Sequence, residues 1–276
     1  MSPTGIARAF EAACRAELSA LKPGNVHIFA AGHGMEVAQF ERAAAAAAPA
    51  VARVDLNVGA RIEAAVAASL ATAGCNTNLG IILLCVPLAV AAEQGPGDLQ
   101  ARLRAVLDSL DVADAQAAFR AIVAANPGGL GAVPDADVRA SPTITLKAAM
   151  AMAAGRDSIS RQYVTGFEDI FSLGVPALGD RPLARERVEA AYLAFLATFP
   201  DSHLARKFGI ATAQAVRAEA EAVRAEVEGV EGQRRHDLLL AFDGRLKARG
   251  LNPGTTADLA VASIFASLLQ EAPAAG

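Results

Sequence analysis

The chain has 276 residues, 53 % of them hydrophobic, and carries a formal net charge of −4 at pH 7. This length allows one large domain or two small ones, and the negative charge excludes a general attraction to nucleic acid or anionic membranes. The hydrophobic excess is mostly alanine, which favours helix over sheet. Three cysteines without CxxC spacing, and an N-terminus without an export signal, predict reduced, buried thiols in a cytoplasmic protein.

The first part of the chain carries apolar residues at helical spacing. Helices are predicted over 4–21, 35–52 and 57–73. Thr4 is the predicted cap of the first helix. Pro23 cannot continue that helix and Gly24 permits a turn, so a loop is expected to follow.

The stretch 74–94 is the one around which the rest is organised. Its apolar run from Leu79 to Ala92 predicts a buried central helix at about 78–94, because a helix apolar on all sides must be covered. The run is too short for a membrane span, which needs about 20 residues. The helix begins beside Asn76, Thr77 and Asn78, where unpaired N–H groups would suit a phosphate. The alternative is that these three side chains only cap the helix.

The pattern continues beyond the central helix. Helices are predicted over 98–109, 112–125, 142–153, 158–173 and 182–199. Asp98 and Asp111 are predicted caps, and Ser141 before Pro142 is a third. The stretch 126–141 is rich in helix breakers and is predicted to be the longest loop.

A seven-residue repeat in 212–228, followed by the amphipathic 233–248, predicts a helical hairpin at about 212–249. A last apolar helix is predicted over 257–270, with a frayed tail at 271–276. No alternating apolar and polar run reaches six residues. The prediction is therefore one all-α domain, 1–276, with about eleven helices.

Four polar clusters lie at predicted helix ends beside small or apolar residues, at 22–27, 76–78, 201–207 and 252–258. Polar groups near a core are costly unless paired, so these positions need a reason. Capping is one reason: Thr255 and Asp258 fit a capping-box variant, and Asp201 or Ser202 would cap a short helix after Pro200.

A binding site is the other reason. The cations that would neutralise phosphates are Lys22, Arg206 and Lys207. The carboxylates that would hold Mg²⁺ are Asp201, Glu36 and Glu63. Magnesium favours a few carboxylates together with phosphate oxygens. The clusters therefore predict a phosphate site between helix ends.

Other chemistries find little support in the sequence. There is no GxxxxGK[ST], no GxGxxG after a strand, no HExxH and no GxSxG. The four histidines are His27, His33, His203 and His236, and no two of them are four residues apart, which argues against zinc. Cys75 has no visible partner base for nucleophilic catalysis.

Several motifs together match a known family. Residues 22–27 (KPGNVH) and 32–36 (GHGME) resemble the opening of the triphosphoribosyl-dephospho-CoA synthase family (CitG and MdcB), with its Lys-Pro-Gly-x-Val and Gly-x-His-x-Asp-Met. Glu63 and residues 73–80 (AGCNTNLG) are similar to its Glu and Thr-Gly-Gly-Val-Asn-Thr-His-Lys-Gly. Residues 201–206 (DSHLAR) are similar to its Asp-Thr-Asn-Leu-x-x-Arg. The resemblance spans roughly 10–270 and keeps the family's motif order.

The chain also departs from the family pattern. Asn78-Leu79 stands where the family has His-Lys, and His203 stands where it has Asn. Glu36 lies near the position of the family's Asp. A distinct branch, associated with archaea and with methylotrophic bacteria that use tetrahydromethanopterin, is resembled by four stretches: KPGNVH at 22–27, CNTNLGIIL at 75–83, RQYVT at 161–165 and NPGTTADL at 252–259.

The resemblance implies an Mg²⁺-dependent transferase with the family's all-α fold. The family joins the ribose C1 of ATP to a hydroxyl of dephospho-CoA and releases adenine, through an oxocarbenium-like centre. For this branch, the changed central loop leaves open phosphoribosyl diphosphate as donor and a tetrahydromethanopterin precursor as acceptor, in one-carbon metabolism. The expected partners are these small molecules, without nucleic acid or membrane, and a homodimer stays open.

The resemblance also implies roles for individual residues. The implied catalytic residues are Asp201, His27 and His203. The implied substrate- and phosphate-binding residues are Lys22, Gly24, Asn25, Asn76, Thr77, Asn78, Arg206, Lys207, Asn252, Thr255 and Thr256. The implied metal ligands are Glu36, Glu63, Asp201 and Asp258. The rival interpretations are a non-catalytic nucleotide- or coenzyme-binding or assembly protein of the same fold, and a helical scaffold that docks through the hairpin.

Overall fold

The computed structural model describes residues 1–30, 37–95, 97–126 and 141–271. Over these ranges it contains fourteen α-helices, one π-helix and no strand beyond an isolated bridge between His27 and Ala30. The predicted all-α fold is confirmed, with more helices than the eleven expected. The helices are α1 Pro3–Ser19, α2 Val37–Val51, α3 Val58–Ala73, α4 Leu79–Glu93, α5 Leu99–Ser109, α6 Val112–Ala125, α7 Leu146–Ala153, α8 Ser158–Thr165, the π-helix Ile170–Gly174, α9 Val175–Leu178, α10 Arg185–Thr198, α11 Ser202–Phe208, α12 Ile210–Val227, α13 Gly232–Ala248 and α14 Gly254–Glu271.

Helix α4 lies at the centre of the fold, and all of its residues except Val90 and Glu93 are buried. It packs against α14, α5 and α3, with further contacts to α1, α2 and α8. Each fully buried Leu, Ile or Val side chain stabilises the fold by about 1.5–3 kcal/mol, so this helix anchors the core. The predicted buried central helix is confirmed.

A proline inside α4 leaves one backbone carbonyl without its helical hydrogen bond, and a side chain from another helix supplies the missing donor. Pro87 has no N–H, so the carbonyl of Leu83 loses its helical partner. The hydroxyl of Tyr163, in α8, donates a hydrogen bond to that carbonyl at 2.6 Å. Tyr163 is fully buried, and burial raises the pKa of its hydroxyl. The α4–α8 contact is therefore fixed by one specific hydrogen bond.

The helix starts are only partly as predicted. Asp98 and Asp111 cap α5 and α6, as expected. The cap of α1 is Ser2 rather than Thr4, because the Ser2 hydroxyl accepts the N–H of Gly5. The predicted helix over 142–153 begins only at Leu146, so the predicted Ser141 cap is wrong. Thr145 caps α7, since its hydroxyl accepts the Ala148 N–H.

The predicted helix over 158–173 is broken in two. Gly166 and Phe167 both have positive φ, at 69° and 60°. Glycine adopts this conformation readily, but a phenylalanine there is strained. The Phe167 side chain is fully buried, and its N–H bonds to the Gln162 carbonyl. Burial of the ring therefore holds the break that separates α8 from the π-helix.

The predicted hairpin corresponds to α12 and α13. The repeat places Val216, Ala220, Val223 and Val227 on one buried face. That face packs chiefly on α10 and joins Leu239, Phe242 and Leu246 of α13 in a second hydrophobic cluster. The pair is thus packed on the body through α10.

Some expectations fall outside the described residues. They concern His33 and Glu36, most of the predicted loop 126–141, and the tail beyond 271. Among the helices that the structure describes, none combines the length and the apolar character that crossing a membrane requires.

Candidate functional site

A cavity of about 720 Å³ opens at the N-terminal end of α4. Its volume lies within the range typical of small-molecule sites. Each of the four polar clusters contributes side chains to its wall, although the clusters are far apart in the chain. The predicted residues that line it are Asn25, Asn76, Thr77, Asn78, His203, Arg206, Asn252, Thr255 and Asp258.

The loop before α4 presents unsatisfied polar groups to this cavity. Asn76 Oδ1 accepts the Leu79 N–H at 3.2 Å, and Asn78 Oδ1 accepts the Ser69 hydroxyl at 2.6 Å. Among the described residues, the Asn78 Nδ2 and the Thr77 hydroxyl are buried without a hydrogen-bond partner, and Asn78 is only 5 % exposed. The Asn78 side chain makes no capping hydrogen bond to α4, and Asn76 satisfies the N–H of its first residue. The remainder of this helix end therefore offers backbone donors and a positive dipole to a ligand.

Asp201 connects α11 and α14, two helices that both contribute residues to the cavity wall. Its Oδ1 accepts the Leu204 N–H at 2.9 Å and so caps α11. Its Oδ2 accepts both the N–H and the hydroxyl of Thr256 at 2.8 Å. Burial raises the pKa of Asp201, and these donors oppose the rise. The carboxylate is saturated by protein donors and does not itself line the cavity, which it shapes by fixing α11 against α14.

The same contacts settle how α14 begins. The predicted capping box of Thr255 and Asp258 is wrong, because α14 starts at Gly254 and both residues lie within its first turns. The amide that a cap would satisfy is that of Thr256, and Asp201 satisfies it from outside the helix. Thr255 and Asp258 are thereby left to face the cavity.

Arg206 projects from α11 into the cavity wall and forms an ion pair with Asp157. Asp157 also caps α8 by accepting the Ser160 N–H at 2.9 Å. The Nε of Arg206 is buried and has no hydrogen-bond partner in the described part of the chain. One donor of this guanidinium is therefore available to an anionic ligand.

Asp258 lies directly against the start of α4. A Cβ at Gly80 would stand 2.1 Å from Asp258 Oδ2, so only glycine permits this approach. Burial raises the pKa of Asp258 well above its ordinary value, and the carboxylates of Asp201 and Glu17 raise it further. Within the described ranges, no hydrogen bond satisfies this carboxylate. It is therefore the group of the cavity most in need of a proton or a cation.

The chain matches the CitG family, described as ATP:dephospho-CoA triphosphoribosyl transferase, over residues 3–275. The chain belongs to the CitG family. A crystal structure of a candidate triphosphoribosyl-dephospho-CoA synthase from Archaeoglobus fulgidus is 26 % identical, with a TM-score of 0.68. The similarity covers 83 % of this chain and 98 % of that one. A comparison with curated proteins found no match.

In this CitG-family chain, Lys22 lies behind the cavity wall. It is fully buried and forms an ion pair with Glu17, and its Nζ lies 3.2 Å from Asn25 Oδ1. Burial lowers the pKa of Lys22 and raises that of Glu17, and the ion pair opposes both shifts. Asn25 in turn donates to Asn252 Oδ1 at 2.9 Å. Lys22 therefore holds the wall residues Glu17 and Asn25 in place.

Gly24 and His27 stabilise the same loop rather than line the cavity. The Gly24 N–H donates to Asp243 Oδ1 at 2.8 Å, and a Cβ at Gly24 would meet the Leu251 carbonyl oxygen at 2.8 Å. His27 is buried, with Nε2 3.2 Å from Asp243 Oδ1, and its Nδ1 accepts the Phe29 N–H. Burial lowers the pKa of His27, which favours the neutral ring. Both ring nitrogens are thus engaged by the protein.

Two further predicted residues lie away from the cavity. Lys207 is exposed, and its ammonium lies 5.3 Å from the centre of the Phe208 ring. Glu63 forms a two-point ion pair with Arg120 at 2.6 and 2.7 Å on the outside of α3. Glu36 lies outside the described residues.

Three residues that line the cavity were not predicted from the sequence: Glu17, Arg156 and Asp157. For Glu17 a signal was present, because a carboxylate stands between Cys14 and Leu18 in the apolar stripe of α1. For Asp157 the signal was its position just before α8, which indicates a cap. No pattern in the sequence distinguishes Arg156 from other surface arginines.

Proposed function

We propose that this CitG-family chain transfers the triphosphoribosyl group of ATP to a hydroxyl of dephospho-CoA and releases adenine. The observation that carries the proposal is a set of buried donors at one cavity to which no described residue offers an acceptor: the Asn78 amide, the Thr77 hydroxyl and the Arg206 Nε. A buried donor left unsatisfied costs about 1–3 kcal/mol, so a ligand that supplies acceptors is favoured. A triphosphate supplies them.

The start of α4 would bind the phosphates. Its first N–H groups and the helix dipole favour an anion, and Arg206 adds a charged donor. Asn25, Asn252 and Thr255 add neutral groups that suit ribose hydroxyls. The cavity therefore offers both the charged and the neutral polar groups that a nucleoside triphosphate requires.

Magnesium fits the chemistry of Asp258. Among the residues that the structure describes, no three metal-ligating side chains converge, so phosphate oxygens would complete the coordination of an ion held by this carboxylate. The raised pKa of Asp258 is consistent with a site that gains from a cation. When bound, Mg²⁺ would neutralise phosphate charge and fix the orientation of the chain of phosphates.

The chemical step breaks the bond between ribose C1 and adenine and forms a bond from C1 to the acceptor oxygen. The acceptor hydroxyl loses its proton, and the departing adenine gains one. His203 is the proposed base, because it is the histidine among the described residues that lines the cavity. Asp201 acts as a positioning residue, since it caps the helix that carries His203.

A second donor and acceptor pair is favoured by one feature of the central loop. Asn78 and Leu79 stand where the family pattern has His-Lys, which removes a cation from the cavity wall. The 5′ end of phosphoribosyl diphosphate carries one phosphate where ATP carries three, so it requires fewer cations at this wall, and the acceptor would be a tetrahydromethanopterin precursor. The same assay distinguishes the pairs, because pyrophosphate is then released in place of adenine.

The test is to measure adenine or pyrophosphate release with each donor, each acceptor and Mg²⁺. The wild type should release adenine with ATP and dephospho-CoA, and removal of Mg²⁺ by a chelator should stop it. The variant His203→Asn should lower kcat by about 10²–10⁴-fold. The surface variant Glu63→Gln is the control and should keep wild-type rates. Absence of release with every pair contradicts the proposal.

The rival is a non-catalytic nucleotide-binding protein of the same fold. It predicts that ATP binds with no turnover and that His203→Asn changes neither. An enzyme should instead lose turnover in this variant while retaining most of its ATP affinity, as measured by calorimetry.

A further inference from the structure

One half of the cavity wall is apolar. It is contributed by α2, α3, α6 and α7, which pack in succession. We call it the apolar wing. Its larger side chains are Phe40, Leu70, Phe119, Ile122, Met150 and Met152. No lining residue from these four helices is charged, whereas the other half carries Glu17, Arg206 and Asp258.

The described residues cover the apolar wing incompletely. Met152 lines the cavity yet is 45 % exposed, and Leu70 and Phe119 are half-buried. Apolar surface on a cavity wall marks a ligand with an apolar portion. Methionine adapts its shape to such a partner. Because one side of the wing is exposed, it suits a flexible ligand whose amide groups remain hydrated. It suits an aromatic base less well, because a base gains most when protein covers both of its faces.

A cation stands at the end of this surface. Arg156 lines the cavity and is exposed, and it makes no ion pair with any described residue. The N–H groups of Arg156 and Asp157 both bond to the Ala153 carbonyl, so the helical turn continues past α7. Ala149, Met152 and Arg156 therefore lie in line on one helix face, at spacings of three and four residues.

This strip has the polarity of one particular molecule. Dephospho-CoA consists of adenosine, a diphosphate and a long uncharged pantetheine arm. We propose, on the basis of the proposed function, that Arg156 binds the diphosphate of dephospho-CoA and that the apolar wing binds its pantetheine arm. The donor triphosphate then occupies the start of α4, and the two substrates meet at Asp258 and His203.

The test compares affinities for the two substrates in two variants, Arg156→Gln and Met152→Asp. Calorimetric titration should show the Kd for dephospho-CoA raised about tenfold or more in each, because each loses or opposes a contact to that substrate. The Kd for ATP should change less than about threefold. The matched controls are Arg234→Gln and Val123→Asp, which alter an exposed arginine of α13 and an exposed valine of α6 outside the cavity lining.

The outcomes separate this inference from the proposed function. A raised Kd for ATP with an unchanged Kd for dephospho-CoA would assign the wing to the donor and overturn the inference. Unchanged affinities for both would overturn it as well, even in an enzyme that turns over. If the wild type shows no turnover but both variants bind dephospho-CoA more weakly than the wild type does, the inference is supported and the proposed reaction is refuted. Circular dichroism of each variant checks that it folds.

Discussion

At the residue scale, Asp258 is a carboxyl group in a position where its ionised form is unfavourable. Its carboxylate lies in a cleft with Gly80 on one side and with the carboxylates of Asp201 and Glu17 nearby. Proteins place such groups where a ligand or proton will compensate them. The unliganded protein therefore carries a local destabilisation that its ligand would remove.

We expect Asp258→Asn to stabilise the unliganded protein at neutral pH. Burial raises the pKa of Asp258, so the folded chain binds more protons than the unfolded chain between the ordinary and the raised pKa. Unfolding free energy therefore falls as pH rises through that window. Asparagine cannot ionise, so this part of the decline should vanish. Melting temperatures measured between pH 4 and pH 8 test the difference.

The control for this experiment is Asp180→Asn, which alters an exposed carboxylate. It should leave the pH profile unchanged. An identical profile for wild type and Asp258→Asn would show that Asp258 is not desolvated in the folded state.

At the element scale, α4 illustrates what a sequence pattern can determine. Its burial follows from the absence of polar side chains, and its limits were predicted to within one residue. The break at Gly166 could not be predicted in the same way, because it depends on where the Phe167 ring is buried. Similarly, the five-residue spacing of Glu17 and Lys22 matches no helical pair, since Lys22 lies beyond the end of α1.

We expect Tyr163→Phe to destabilise the protein by about 1–3 kcal/mol, because it leaves the buried Leu83 carbonyl without a donor. Chemical denaturation of wild type and variant measures this cost. The cost should shrink in a Pro87→Ala background, where residue 87 regains an N–H for the same carbonyl. Equal costs in both backgrounds would show that the Tyr163 hydroxyl does not compensate for the N–H that Pro87 lacks.

At the scale of the whole molecule, the cavity joins parts of the chain that are distant in sequence. Residue types at helix ends were enough to identify most of its polar wall. They could not identify the apolar wing, because Phe119 and Met152 look like ordinary core positions in an amphipathic helix. They also could not show that Lys22 and His27 form internal ion pairs. Asp243, the partner of His27, lies far along the chain, and the spacing of Lys22 from its partner Glu17 matches no helical pair.

We expect ATP with Mg²⁺ to raise the melting temperature of the whole chain. A ligand at about 100 times its Kd stabilises the folded state by about 2.7 kcal/mol. Arg206→Gln should lose most of this shift, because it removes the free Nε and the positive charge from the cavity wall. Lys207→Gln is the adjacent control and should keep the shift, since Lys207 is exposed. An equal loss in both variants would point to general charge rather than to a site.

The packing of α14 on α4 has a consequence for the synthesis of the chain. One of the helices that cover α4 is synthesised long after it, because α14 begins at Gly254 and α4 ends at Glu93. At about 5–20 residues per second, a ribosome needs on the order of ten to thirty seconds to reach them. Throughout that interval the nascent chain contains an apolar helix, α4, whose α14-facing side is uncovered. Chaperones that bind exposed apolar segments should therefore raise the yield of folded protein more for this chain than for chains whose cores are complete early in synthesis.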